Sequence, residues 1–216
     1  MPLLITFEGG EAAGKTTQIA RLTGKLTALN LPHLVTREPG GTSLGEELRH
    51  LLKHHDAGKN MFPEAELLLF AAARAQHARE LITPALLAGK IVLCDRYLDS
   101  TTAYQGAARR LPPEQVAHIN SFAIGQTRPD ITFYLDLDPL VARERILSRN
   151  KNANSAPLSS DRMESEPLDF YQRVRAAYLE IARAEPARVH VIDAAQPVET
   201  VENALWAILS PKLKIS

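Results

Sequence analysis

Glycine stands at position 9, and five residues on Gly14-Lys15-Thr16 closes the run Gly9-Gly10-Glu11-Ala12-Ala13-Gly14-Lys15-Thr16. The spacing G-x-x-x-x-G-K-[ST] carries a mechanism only when a strand leads into it and a helix leads out. The sequence meets both conditions: Leu3–Phe7 is a short apolar run that predicts a buried strand, and Thr17–Leu29 has helical periodicity. Glycines at 9 and 14 permit a tight turn whose backbone N–H groups close around phosphate oxygens. The N-terminus of the helix that follows adds a favourable dipole. Residues Gly9, Gly10, Glu11, Ala12, Ala13, Gly14, Lys15, Thr16 and Thr17 therefore form the candidate ATP site. In it Lys15 reaches the β- and γ-phosphates and Thr16 ligates magnesium.

Four further apolar runs read as buried strands: His33–Arg37, Ile91–Asp95, Ile131–Leu137 and Arg188–Ile192. Helical periodicity fills the intervals, over Glu64–Leu87, Val141–Leu147 and Pro167–Ala184 among others. Continuous apolar strands alternating with helices indicate a parallel sheet covered on both faces. With the phosphate loop, this predicts the three-layer α/β fold of phosphate-loop NTPases, with five parallel strands flanked by helices. Asn150–Ser160 is polar and aperiodic and has arginines on either side, which reads as a mobile flap. The expected organisation is one phosphate-loop domain over residues 1–216 with a lid at about 143–164.

Composition excludes several classes. Lys plus Arg and Asp plus Glu both total 25, so no global field draws the chain to nucleic acid or an anionic membrane. The longest apolar run, Leu67–Ala73, is too short to span a bilayer. A single cysteine, Cys94, offers no disulfide framework and fits a reducing compartment. The N-terminal residues lack the pattern of a signal peptide, and the expected location is cytoplasmic.

Asp95 ends the strand Ile91–Asp95, where a carboxylate faces the metal across the carboxyl edge of the sheet. Metal ligands are thus expected at Thr16 and Asp95. The Asn-Lys-x-Asp signature of a GTPase is missing; Asn150-Lys151-Asn152-Ala153 starts alike but lacks the aspartate. Instead, arginines stand at strand ends, Arg37 and Arg96. Transfer between two anions requires that both be neutralised. A monophosphate acceptor, whose second pKa is about 6, is already largely ionised and needs no general base. Paired arginines therefore favour a nucleoside monophosphate kinase.

Several runs then resemble the bacterial thymidylate (dTMP) kinases, in order along nearly the whole chain. They are Phe7–Thr17, Arg37-Glu38-Pro39-Gly40-Gly41-Thr42, Leu69–His77, Asp95-Arg96-Tyr97 with Ser100–Gly106, and Asp161-Arg162-Met163-Glu164. The resemblance implies ATP- and magnesium-dependent phosphorylation of dTMP to dTDP, on the route to dTTP, by a homodimer. It implies that Phe70 stacks on thymine and Arg74 meets the pyrimidine carbonyl edge. By the same resemblance Arg37 and Arg96 hold the acceptor phosphate, with Thr101 and Gln105 as further contacts. Tyr104 would exclude a ribose 2′-hydroxyl, and Glu11 would lie near the acceptor sugar and metal. Because Ala12 and Ala13 leave no arginine in the loop, the lid, which carries Arg143, Arg145, Arg149 and Arg162, would supply the catalytic one. Arg149 comes first and Arg162 second, beside Lys15 and Arg96.

Ala12 departs from the family pattern, where glycine is common. His50 and His54, four apart, lack a third zinc ligand and read as surface histidines. Trp206, in the last amphipathic helix, reads as core. The alternatives are a deoxynucleoside kinase, which would need a base for the 5′-hydroxyl, and a nucleotide-dependent switch.

Overall fold

The computed structural model describes residues 2–152, 162–163 and 166–213. Five strands, β1 (Leu3–Glu8), β2 (His33–Arg37), β3 (Ile91–Asp95), β4 (Ile131–Asp136) and β5 (Val189–Asp193), form one sheet in the order β2-β3-β1-β4-β5. Every pairing is parallel, with Phe7 level with Asp95 and Arg37 level with Asp95 on its other side. Burial on both faces explains the apolar runs of β1, β3 and β4, whereas β2 and β5, expected to be buried, are edge strands that leave Val35 and Val191 exposed. Leu3, Ile5 and Phe7 pack against α1 (Lys15–Ala28) and α9 (Val198–Leu209) through Ile19, Leu22, Leu26, Val201, Leu205 and Leu209. Leu4 and the β3 residues Val92 and Cys94 face the other layer, meeting Ile82, Ala85, Tyr97 and Ile124.

That second layer contains α2 (Ser43–Lys53), α3 (Pro63–His77), α4 (Thr83–Leu87), α5 (Leu98–Thr101), α6 (Pro113–Ile124), α7 (Pro139–Asn152) and α8 (Leu168–Ala184) among its elements and those flanking it. The expected single helix over Glu64–Leu87 is interrupted. A π-helical turn, Ala78–Ile82, lies between α3 and α4. Pro84 has no N–H to donate back to Glu80, and the break puts the proline in the first turn of α4, where no donor is needed. A second π-helical stretch, Thr102–Ala108, continues α5. The helix expected over Val141–Leu147 runs from Pro139 to Asn152, so the start of the expected flap is helical. The rest of that flap, 153–161, lies outside the described residues.

One buried polar network ties the sheet to the helices. Arg188 grips Asp99 with two bonds (2.7 and 2.9 Å) and also donates to Thr132, whose hydroxyl meets Thr6 at 2.7 Å. This ties α5 to the ends of β4 and β5. Cys94 is fully buried, and burial pushes its thiol up, which suits the structural role read from the sequence.

Candidate active site

The carboxyl ends of β1, β2 and β3 open into one cleft of about 350 Å³. Chain order reverses here, since β1 connects outward to β2 while β3 crosses back to β4, and such a point is where open α/β sheets bind ligands. The phosphate loop leaves β1, the central strand. Gly9 takes φ 140°, and a side chain there would meet the Leu135 carbonyl oxygen at 2.6 Å, so glycine is required. Ala12 takes φ 55°, the left-handed region. The departure at this position thus places a methyl group where it costs about 1–2 kcal/mol.

Lys15 is buried, its ammonium donating to the carbonyls of Gly9 (3.2 Å) and Gly10 (2.9 Å). Burial, and then the positive charge of Arg96, lower its pKa. Thr16 and Thr17 are exposed at the cleft, and the Thr16 hydroxyl reaches Asp95 Oδ2 at 3.5 Å. Asp95 Oδ1 is buried and has no hydrogen-bond partner among the described residues. An unpaired buried carboxylate oxygen is costly, and a cation would satisfy it.

Arg96 holds φ 66° and its guanidinium donates to Glu11 (2.8 Å), linking the end of β3 to the phosphate loop. Burial works against ionisation of Glu11, but Arg96, Lys15 and Lys53 hold its carboxyl down at about 2. An acid ionised over the whole working range does not shuttle protons. Arg37 lies on the other side of the cleft and donates to both oxygens of Glu46 (2.9 Å each).

Deeper in, α3 contributes Phe70 and Arg74, and the α5–π segment contributes Thr101, Tyr104 and Gln105. Phe70 is half-buried at the wall and is not packed into the core. Arg74 differs from its expected form: it is 1% exposed and donates to Glu38, Thr101, Asn120 and the Tyr97 carbonyl at 2.7–3.0 Å. Its Nη2 also lies 2.8 Å from Glu38 Oε2 as an ion pair. Gln105 is fixed by Glu66 (2.7 Å). Tyr104 lies under Arg96, 5.2 Å from its ring centre, and its buried hydroxyl is without a geometric partner among the described residues.

The lid arginines divide. Arg149 has its backbone in α7, but its side chain lies outside the described residues. Arg162 does not line the cleft. It donates to Glu66 and to the Leu52 carbonyl (3.3 Å), anchoring the lid's far end to α3 and α2. Arg143 borders a separate groove between α7 and α8. Arg145 reaches the Ala12 carbonyl at 3.4 Å, beside a shallow hollow formed by Ala13, Gly14, Thr17, Gln18 and Ala194–Val198.

Glu38, Arg49, Lys53, Ser100 and Met163 also line the cleft and were not read as site residues. Arg49 and Lys53 had a signal, a basic pair four apart on the amphipathic α2. Met163 had none. His50 and His54 belong to no cluster of three or more ligand side chains among the described residues. Trp206 packs against the core with Lys25 over its ring.

A family model described as thymidylate kinase matches residues 7–205. A thymidylate kinase of Syntrophotalea carbinolica is 46% identical over 215 residues, covering 100% of this chain and 98% of that protein. One from Bifidobacterium longum subsp. infantis is 45% identical, covering 98% of this chain and 88% of that protein. The solved structure of thymidylate kinase from Ehrlichia chaffeensis superposes with a TM-score of 0.76 at 33% identity, covering 96% of this chain and 98% of that one.

Proposed function

The chain belongs to the thymidylate kinase family, and we propose that its cleft transfers the γ-phosphoryl group of ATP to dTMP, giving ADP and dTDP. One observation carries this reading: the phosphate loop and the strand-end arginines Arg37 and Arg96 open into the same cleft, so a donor and an anionic acceptor can meet.

On the donor side the loop amides and Lys15 hold the phosphates. The hollow beside Arg145 and Ala194–Val198 suits the nucleoside half of ATP. Thr16 and the unpartnered Asp95 oxygen fit magnesium, which typically takes one or two protein oxygens together with substrate phosphates. Bound there, the ion would offset charge on the transferring phosphoryl group.

On the acceptor side Phe70 offers a stacking face, Thr101 and Arg74 frame the base edge, and Arg37 and Arg96 bind the monophosphate. Tyr104 and Gln105 border the sugar, with Tyr104 filling the 2′ side, and Glu11 lies between sugar and donor loop. The two cationic side chains Arg37 and Arg96 at the cleft support a monophosphate acceptor over a hydroxyl, since an anionic acceptor needs its charge offset. Arg149 remains the proposed catalytic arginine of the lid at about 143–164. The bond from Arg162 to Glu66 supports an anchoring part for Arg162 rather than a catalytic one.

We further propose a cytoplasmic homodimer that binds neither nucleic acid nor membrane. α3 and α6 lie side by side, each with a large apolar side chain in the open, Leu68 at 56% and Phe122 at 81% exposed. Such a surface is suited to a second copy. Among the described residues no helix is long and apolar enough to cross a membrane.

The test is ADP release from magnesium-ATP with dTMP, dUMP, ribosyl-TMP, dCMP and thymidine as acceptors. Fast turnover with dTMP alone is expected. Turnover only with thymidine would move the acceptor to a hydroxyl, and slow hydrolysis indifferent to acceptor would point to a switch.

A further inference from the structure

Glu8 ends β1 immediately before the phosphate loop and is fully buried, yet the transfer chemistry does not use it. Its carboxylate accepts four hydrogen bonds. Oε1 takes the backbone N–H groups of Tyr97 (2.8 Å) and Ser100 (3.3 Å), and Oε2 takes the hydroxyls of Ser100 (2.6 Å) and Tyr178 (2.7 Å). These fill the lone-pair positions a carboxylate has. Three of the four donors belong to the segment that follows Arg96. Arg96 itself holds a left-handed backbone, which persists only where the surroundings over-determine it. The Arg96 N–H donates to the Phe7 carbonyl (2.9 Å), and the Cys94 thiol donates to the Arg96 carbonyl (3.1 Å). Phe7 and Glu8, the two residues leading into Gly9, thus grip Arg96 and Tyr97.

We propose that Glu8 is a positioning residue that sets the separation between the donor-holding loop and Arg96, keeping the two phosphate sites in line for transfer. The inference rests on the reading of Arg96 as an acceptor-phosphate clamp. A displacement of about 1 Å in such a geometry costs about a hundredfold in rate. Because no substrate contact is removed, the loss belongs in kcat and not in either KM.

Steady-state kinetics of Glu8→Leu, Glu8→Gln and the pair Ser100→Ala/Tyr178→Phe, with ATP and dTMP both varied, test this. Leucine fills the space but accepts nothing, and kcat is expected to fall about a hundredfold with each KM within about threefold. Glutamine keeps an oxygen for the two backbone N–H groups and turns its NH₂ to hydroxyls that can accept, restoring kcat to within about fivefold. The Ser100→Ala/Tyr178→Phe pair removes two donors and leaves Glu8 in place, lowering kcat about tenfold. It also gives the answer should the leucine variant not fold. An unchanged kcat in that pair, a raised KM in place of a lowered kcat in Glu8→Leu, or a glutamine variant as impaired as leucine would overturn the proposal. Arg96→Ala tests the premise separately: an unchanged KM for dTMP would remove the clamp reading whatever the Glu8 variants do.

Discussion

Arg74 is the side chain whose loss the structure allows to be sized most directly. It is 1% exposed, makes four hydrogen bonds within the protein and is ion-paired with Glu38. Replacement by alanine leaves Glu38, itself 5% exposed, as a buried charge without its guanidinium partner. Removing one member of a buried pair costs about 3–5 kcal/mol. Lysine keeps the charge but brings three donors to the four acceptors that Arg74 serves, so one buried acceptor loses its partner at about 1–3 kcal/mol. Arg74→Lys should therefore lose about 1–3 kcal/mol, less than alanine, which also leaves a cavity. For a chain of this length each kcal/mol shifts Tm by about 2–4 °C, so Arg74→Ala should melt about 10 °C lower. Thermal unfolding followed by the fluorescence of the single Trp206, at one fixed protein concentration because any self-association would shift Tm, measures it. A shift under about 3 °C would refute the reasoning. Arg74 would then be a loosely held group facing the ligand, and not a tie between α3, α5 and α6.

Phe70→Ala should raise KM for dTMP about tenfold with little effect on KM for ATP, in keeping with about 1–1.5 kcal/mol of lost stacking; equal changes in both would detach Phe70 from the acceptor. Asp95→Asn should weaken the magnesium dependence, seen as a higher metal concentration for half-maximal turnover, while binding of metal-free ATP changes little; an unaltered metal titration would remove Asp95 from the site. The hydrogen bond from Arg188, and then that from Arg128, hold Glu185 at about 2 against 4.5 for the ordinary side chain. A depressed folded-state pKa gives stability that is present above pH 4.5 and lost as pH falls through 2. Urea unfolding should thus show a shallower acid slope between these values in Glu185→Gln than in the parent, and equal slopes would contradict it.

Much of this was legible in the chain because its signals are local. The phosphate loop needs only residues 9–16 and the strand and helix beside them, and five apolar runs of strand length imply a covered parallel sheet. The acidic strand end at Asp95 and the arginines at the ends of β2 and β3 follow from where those strands stop. Even the α3 pair Phe70 and Arg74, four apart, shares a helix face by periodicity alone. What the sequence could not supply is the pairing of groups far apart along it. Glu38, Asn120 and the Tyr97 carbonyl meet Arg74 only because β2, α6 and the β3 end are packed together, and these buried partners hold the arginine in place. Arg162 finds Glu66 across 96 residues, and Glu8 finds Tyr178 across 170. A charged side chain in an alignment of local patterns has no assigned partner. Burial decides it, because a charge taken out of water must be matched by whichever groups the fold brings within 3 Å.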